Sequence, residues 1–205
     1  LRQLAIETAT EACSVALFED GRLVSHVHEL VGRGHAERLV PMIGELPGRG
    51  RADRILVDCG PGSFTGVRVG LAAARALALA WGAEIAGYSS LALIAATAFM
   101  ELDGPETLSV AIVGGHGEYF VQRFDRQGVR PIAPLASLKP EEAALLCASD
   151  PVAGSGAEAM RTAGAPGRTV AIHPDARNTA LLPPRLAMLP PSPIYGRAPD
   201  ARLPG

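Results

Sequence analysis

Apolar and polar positions alternate at the start of the chain and then change period. Leu4-Ala5-Ile6 and Cys13–Phe18 are short apolar runs, and Arg22–Glu29 alternates weakly. All three predict strands. Glu19-Asp20-Gly21 between the last two carries the Asp-Gly signature of a tight hairpin. Leu39, Met42, Ile43 and Leu46 then fall at helical spacing within His35–Leu46, with Gly34 before the helix and Pro47-Gly48 ending it. Ile55-Leu56-Val57 predicts a buried strand, a strand follows near Glu84–Tyr88, and Ser90–Met100 predicts a helix with Ser89 or Ser90 as its N-cap. Beyond Leu102-Asp103-Gly104-Pro105 the pattern predicts strands at 108–113 and 117–124, a turn at 125–128 and a helix from Pro140 to Ala148. Short pieces follow, then a proline-rich tail expected to pack on a lobe.

The most informative stretch is GPGSFTGVRVGLAAARALALA at 60–80. Gly60, Gly62 and Gly66 permit a sharp turn and a close backbone approach. Gly66, Gly70, Ala74 and Ala78 lie four apart and form one small-residue ridge along the helix. Val67, Val69, Leu71, Ala73, Leu77 and Ala80 make the other sides apolar, with Arg68 and Arg75 on one edge. A helix apolar nearly all round is covered on more than one side. The expectation is that its own sheet covers one side and a partner covers the other, with the inward face left open.

Composition narrows the class. A net charge of −2 gives no field for gripping a polyanion. Cys13, Cys59 and Cys147 are scattered without a C-x-x-C pair, which points to a reducing compartment rather than a disulfide framework or zinc site. With no basic-then-apolar leader, a soluble cytoplasmic protein is expected. Three antiparallel strands followed by αβαβ is the unit of ribonuclease-H-like and actin-like folds. The expected architecture is therefore an α/β, actin-like (ASKHA, ribonuclease-H-like) two-lobed fold with mixed sheets. Its expected lobes are 1–103, carrying the partner-binding helices, and 104–205, a smaller α/β lobe with the Pro-rich tail.

Four segments, LAIETATEACSVAL, HAERLVPMI (35–43), GPGSFTGVRVGLAAARALA (60–78) and PIYGRAPDA (193–201), occur in an order that resembles the TsaB (YeaZ) family of tRNA threonylcarbamoyladenosine biosynthesis proteins. The resemblance implies a catalytically silent scaffold. It would pair with TsaD, the subunit that transfers threonylcarbamoyl to adenosine beside the tRNA anticodon, and recruit TsaE, with no cofactor of its own. Alone it would form a homodimer through the same face; tRNA would be met only through the complex, and no membrane is involved. By that analogy the pairing face comprises His35, Arg38, Leu39, Met42, Ile43, Thr65, Arg68, Val69, Gly70, Ala73, Ala74 and Leu77. TsaD carries V-N-H-x-x-G-H; laid on Tyr88–Ile94, it puts Ser90 and Ile94 where the imidazoles belong, and neither offers a comparable metal ligand. The chain departs from the family pattern at Glu7, where aspartate is usual, at Val113–Phe120, which loses an aspartate and an arginine, and in a short Leu46–Asp53 stretch.

The glycine turn opening a helix could receive a phosphate, although it lacks the Lys-Ser/Thr of a P-loop. A nucleotide shared with partner subunits would use Gly62, Ser63, Thr65 and Arg68. Glu7-Thr8-Ala9-Thr10 sits where actin-like kinases handle Mg²⁺ and phosphate, yet reads better as a surface turn with local hydroxyl hydrogen bonds. His116 reads as a hairpin residue and Ser63 lacks a G-x-S-x-G context. Arg68 and Arg75 fit an interface rim better than a tRNA-phosphate contact, and Ile194-Tyr195 a lobe-closing strap. The alternatives are a small actin-like ATPase or phosphotransferase and a metalloprotease-like hydrolase.

Overall fold

A computed structural model describes residues 1–196 of the chain. Five strands form the first sheet: β1 (Arg2–Glu7), β2 (Ala12–Glu19), β3 (Arg22–Leu30), β4 (Arg54–Asp58) and β5 (Glu84–Tyr88). Their order is β3-β2-β1-β4-β5, with β1–β2–β3 antiparallel and β1–β4–β5 parallel. Asp20 and Gly21 both take positive φ, 49° and 76°, as the expected two-residue hairpin requires.

Helices α1 (His35–Glu45) and α2 (Phe64–Trp81) cover one face of this sheet. Leu39, Met42 and Ile43 of α1 and Val67, Leu71 and Ala74 of α2 meet Leu4, Ile6, Val15, Ile55 and Val57 there. Ser63 starts α2 by accepting from the Gly66 N–H, and Gly82 ends it in the left-handed region at φ 68°. Helix α3 (Ser90–Glu101) is buried along Ser90–Phe99. Its core joins Leu56 and Tyr88 of the first sheet to Leu108, Val110 and Ile112 of the second.

The second sheet contains β6 (Thr107–Gly115), β7 (Glu118–Asp125), β8 (Arg130–Pro131), β9 (Ala136–Leu138), β10 (Val152–Ala153) and β11 (Thr169–Val170). The strand order is β11-β10-β6-β7-β8, with β9 also paired to β7. Helices α4 (Pro140–Cys147) and α5 (Ala157–Thr162) pack on it through Ala143, Cys147 and Met160. Strands β8 and β9 have too few residues for a periodic signal.

The chain then returns to the first sheet. A 3₁₀ turn, Ala176–Leu181, packs on β1, β2 and β3. Leu189 bridges Gly87 on the β5 edge, and the Ile194 N–H donates to the Cys59 carbonyl at 2.7 Å. The described part of the proline-rich tail is thus a strap across the sheet that begins the chain. Residues 197–201 of PIYGRAPDA lie outside the described residues.

Candidate functional site

The small-residue ridge of α2 faces inward. Added Cβ atoms at Gly62, Gly66 and Gly70 would overlap the Ala9 carbonyl, the Thr8 carbonyl and the Thr8 Oγ1. The turn after β1 therefore lies directly on the helix: its backbone occupies the space beside Gly62 and Gly66, and the Thr8 side chain the space beside Gly70. The expected pairing face changes accordingly. His35, Leu39, Met42, Ile43, Gly70 and Ala74 are all buried in the first sheet's own core or against it, and present nothing to a partner. His35 Nε2 lies 3.3 Å from the Ala12 carbonyl oxygen. Arg38 is half-buried and held by Glu29 and Glu45. Of the expected face, Thr65 is exposed and Arg68, Val69, Ala73 and Leu77 are half-buried.

The opposite side of α2 is open. Ala72, Ala76, Leu79 and Ala80 are exposed, Leu79 at 88%, and Val40 of α1 is 61% exposed. Apart from Arg75 this outward surface is apolar, and Ala72, Ala76 and Leu79 lie off the small-residue ridge. Of the two α2 arginines, Arg75 donates to the Pro191 carbonyl at 2.8 Å and Arg68 to the Tyr195 hydroxyl at 3.0 Å. Both hold the strap.

The Glu7 turn is not at the surface. Glu7 is fully buried, accepting from the Ala9 N–H at 2.8 Å, the Tyr88 hydroxyl at 3.1 Å and the Ser90 hydroxyl at 3.1 Å. Asp58, buried at the end of β4, accepts at Oδ1 from the Thr8 N–H and hydroxyl at 2.9 and 3.0 Å, while its Oδ2 has no hydrogen-bond partner. Burial, with Asp58 nearby, raises the Glu7 carboxyl well above the usual carboxylate range. Burial likewise pushes Asp58 up to about 7, against the Thr8 hydrogen bonds. The expectation of a surface turn fails because Tyr88 and Ser90 close over Glu7 from β5 and α3. Ser90, at one lost imidazole position, is thereby a carboxylate partner, and Ile94 is buried among apolar neighbours. Among the described residues no group of three or more His, Cys, Asp or Glu side chains is placed to hold a metal.

Between the two sheets opens a cleft of about 910 Å³. Its walls are the turn at Ala9–Glu11, the glycine turn with Gly62, Ser63 and Phe64, the β6–β7 hairpin with His116, and the strap residues 193–196. Gly62, Ser63 and Arg68 line it, whereas Thr65 does not. Part of the anion-binding potential of the α2 start is already used: the Ser63 N–H donates to the Ala9 carbonyl at 2.6 Å and the Gly66 N–H to Ser63 Oγ at 3.2 Å. His116 occupies the hairpin at φ 54°, as its Gly-rich setting implies. Nothing local in the sequence marks Phe64, Arg33 and Ser155, because the cleft they line exists only once distant segments meet.

A mixed five-stranded sheet, a second mixed sheet and a cleft between them define an actin-like, ribonuclease-H-like protein. The family model described as "TsaD: tRNA N6-adenosine threonylcarbamoyltransferase" matches residues 27–162. The chain belongs to this family, on its TsaB (YeaZ) side. The tRNA threonylcarbamoyladenosine biosynthesis protein TsaB of Escherichia coli is 39% identical over 131 residues, which is 62% of this chain and 56% of that relative. The chain thus spans a little over half the relative's length. Two solved structures from Pseudomonas aeruginosa are also similar. One, an uncharacterized protein with similarity to peptidase YeaZ, has a TM-score of 0.80 at 29% identity and covers 96% of this chain and 99% of its own. The other, YeaZ, has a TM-score of 0.76 at 28% identity with 95% and 99% covered.

Proposed function

We propose that this chain is the non-catalytic scaffold subunit of a complex that installs threonylcarbamoyl on the adenosine beside the tRNA anticodon, pairing with TsaD and recruiting TsaE in the cytoplasm. The observation that carries this reading is the outward face of α2. Ala72, Ala76, Leu79 and Ala80 form an exposed apolar strip on an 18-residue helix, flanked by half-buried Val69 and Ala73. Small side chains on such a strip allow a second helix to approach closely. The interface is therefore the outward side of α2 with Val40 of α1, and in the absence of TsaD the same strip pairs two copies of the chain.

The chemistry belongs to the partners in this reading. The positions laid against the two metal-ligating histidines of the TsaD segment hold a hydroxyl tied to Glu7 and an apolar side chain.

Reconstitution tests the proposal. The full chain is mixed with TsaD, TsaE and unmodified tRNA, and threonylcarbamoyladenosine is quantified by mass spectrometry of digested tRNA. Modification is expected only when the chain is present, and Ala76→Asp is expected to lose TsaD capture on size-exclusion chromatography while keeping wild-type melting. Undiminished capture by that variant overturns the interface. Magnesium-dependent ATP turnover by the chain alone would instead assign the phosphotransferase alternative.

A further inference from the structure

Of the nine aromatic side chains in the sequence, seven are buried or half-buried. The two that are exposed, Phe64 at 69% and Tyr195 at 61%, come from positions 131 residues apart in sequence and meet at the mouth of the same cleft. One guanidinium joins them. Arg68 Cζ lies 3.1 Å from the Phe64 ring centroid and 5.7 Å from that of Tyr195. Its Nη1 donates to the Phe64 carbonyl at 3.1 Å and its Nη2 to the Tyr195 hydroxyl at 3.0 Å. The ring positions are set in advance: α2 fixes Phe64 and Arg68, and the Ile194 bond to Cys59 anchors the residue before Tyr195. Exposed aromatic surface of this kind carries a hydration cost that folding does not relieve.

We propose that Phe64, Arg68 and Tyr195 form a stacking platform for an unpaired base of RNA at the cleft mouth. Arg68 covers one face of the Phe64 ring, so a base would stack on the ring's other face or on Tyr195 while the guanidinium offers its remaining N–H groups to a phosphate as charge-assisted hydrogen bonds. The cleft supplies the complementary sign. Its lining carries Arg33 and Arg68 against a single carboxylate, Glu11, in a chain whose net charge is −2. A docked protein helix is better served by the outward α2 strip, where the one charge, Arg75, already donates to the Pro191 carbonyl. The base must be unpaired, because stacking on a side chain needs a face that a duplex keeps covered. The proposal rests on the functional reading only for the choice of RNA, an anticodon stem-loop. It departs from the sequence-based expectations that tRNA is met only through the complex and that Arg68 is a rim residue, because the fold sets Arg68 beside two exposed rings.

The test measures binding of a labelled anticodon stem-loop to the full chain by fluorescence anisotropy at low salt, in the absence of TsaD and TsaE. A blunt duplex of equal length and free AMP serve as comparisons. The stem-loop is expected to bind more tightly than either, and Phe64→Ala and Tyr195→Ala are each expected to weaken it about tenfold. Phe64→Trp, which keeps a stacking face, is expected to retain binding. Equal affinity for stem-loop and duplex, or alanine variants that bind like wild type, overturns the platform. Tighter binding of AMP than of the stem-loop overturns RNA as the occupant and assigns a free nucleotide. Loss of TsaD capture by Phe64→Ala, with no RNA binding by wild type, assigns the rings to a protein contact and also overturns the proposal. The scaffold reading fails separately, through Ala76→Asp and TsaD capture, so the two failures are distinguishable.

Discussion

Gly66 lies directly under the Thr8 carbonyl, so closely that a methyl group at position 66 would overlap that oxygen. Four residues on, the space beside Gly70 is filled by the Thr8 side chain, whose Oγ1 is pinned by a 3.0 Å bond to Asp58 and a 2.9 Å bond to the Gly66 carbonyl. One threonine thus accounts for two glycines in the motif.

The two glycines differ in what obstructs them. Gly66→Ala meets backbone and is expected to destabilise by about 3 kcal/mol, despite the helix propensity gained. Gly70→Ala meets a side-chain oxygen. Thr8→Ala removes that oxygen, so the double variant Thr8→Ala/Gly70→Ala is expected to recover part of the loss, whereas Thr8→Ala/Gly66→Ala recovers none. Denaturant unfolding of the four variants checks the pattern, and equal rescue at both sites contradicts the packing.

This relationship also shows where sequence pattern runs out. The strand and helix order was legible because the hairpin signature at Asp20-Gly21 and the helical spacing of Leu39, Met42 and Ile43 are local. The four-residue spacing of Gly66, Gly70 and Ala74 announces a close approach and does not say to what. The answer, Thr8, is nearly sixty residues away, and its position depends on β1 pairing with β4. Glu7 misled for the same reason: its hydroxyl-rich neighbours suggest a solvated turn, while the groups that bury it, Tyr88 and Ser90, arrive from another part of the chain. The cleft needs both sheets and the strap, so Phe64 and Tyr195 could not be paired from local sequence.

Asp58 and Glu7 set the pH dependence of stability. In the folded chain each carboxyl keeps its proton at pH values where the unfolded chain has released it, so the folded state binds more protons and stability falls as pH rises. The fall begins near the ordinary carboxylate pKa, about 4, and Asp58's share is complete above its folded value of about 7. Each group contributes a slope approaching about 1.4 kcal/mol per pH unit within its window. Glu29, lowered by its hydrogen bond to Arg38, works in the opposite sense in more acidic solution. Urea unfolding between about pH 5 and about pH 8 is expected to show declining stability, and Asp58→Asn, which still accepts from Thr8, is expected to flatten the decline. A slope unchanged in Asp58→Asn contradicts the assignment.

The junction between α3 and the second sheet depends on one guanidinium. Arg126 donates to the Phe99 carbonyl, the Leu102 carbonyl and the Pro105 carbonyl, at 2.8, 2.8 and 2.9 Å, and lies 5.0 Å from the Phe99 ring centroid. These acceptors are the end of α3 and the loop beyond it, where carbonyls lack helical partners. A lysine ammonium cannot reproduce the fork. Arg126→Lys is therefore expected to lose about 2 kcal/mol, nearly as much as Arg126→Ala. Thermal melts of both variants decide it: a lysine variant as stable as wild type means that charge alone suffices.

The strap gives a prediction in which local and global stability separate. Its described path is held by the Gly87–Leu189 bridge, by Arg54 donating to the Ala187 carbonyl at 2.7 Å, by Arg75 donating to Pro191, and by Ile194 donating to Cys59. Few apolar groups are buried along 188–193, so hydrogen bonds carry much of its attachment, and such segments open independently of the core. Arg75 is exposed, and its loss removes one anchor without disturbing α2 packing. Hydrogen exchange of Arg75→Ala is expected to accelerate at the Leu189 and Ile194 amides several-fold, with the β1 and β4 amides unchanged. Faster exchange across the whole sheet would mean that the strap is part of the global folding unit, and unchanged exchange at Leu189 would mean that the Arg75 bond holds nothing.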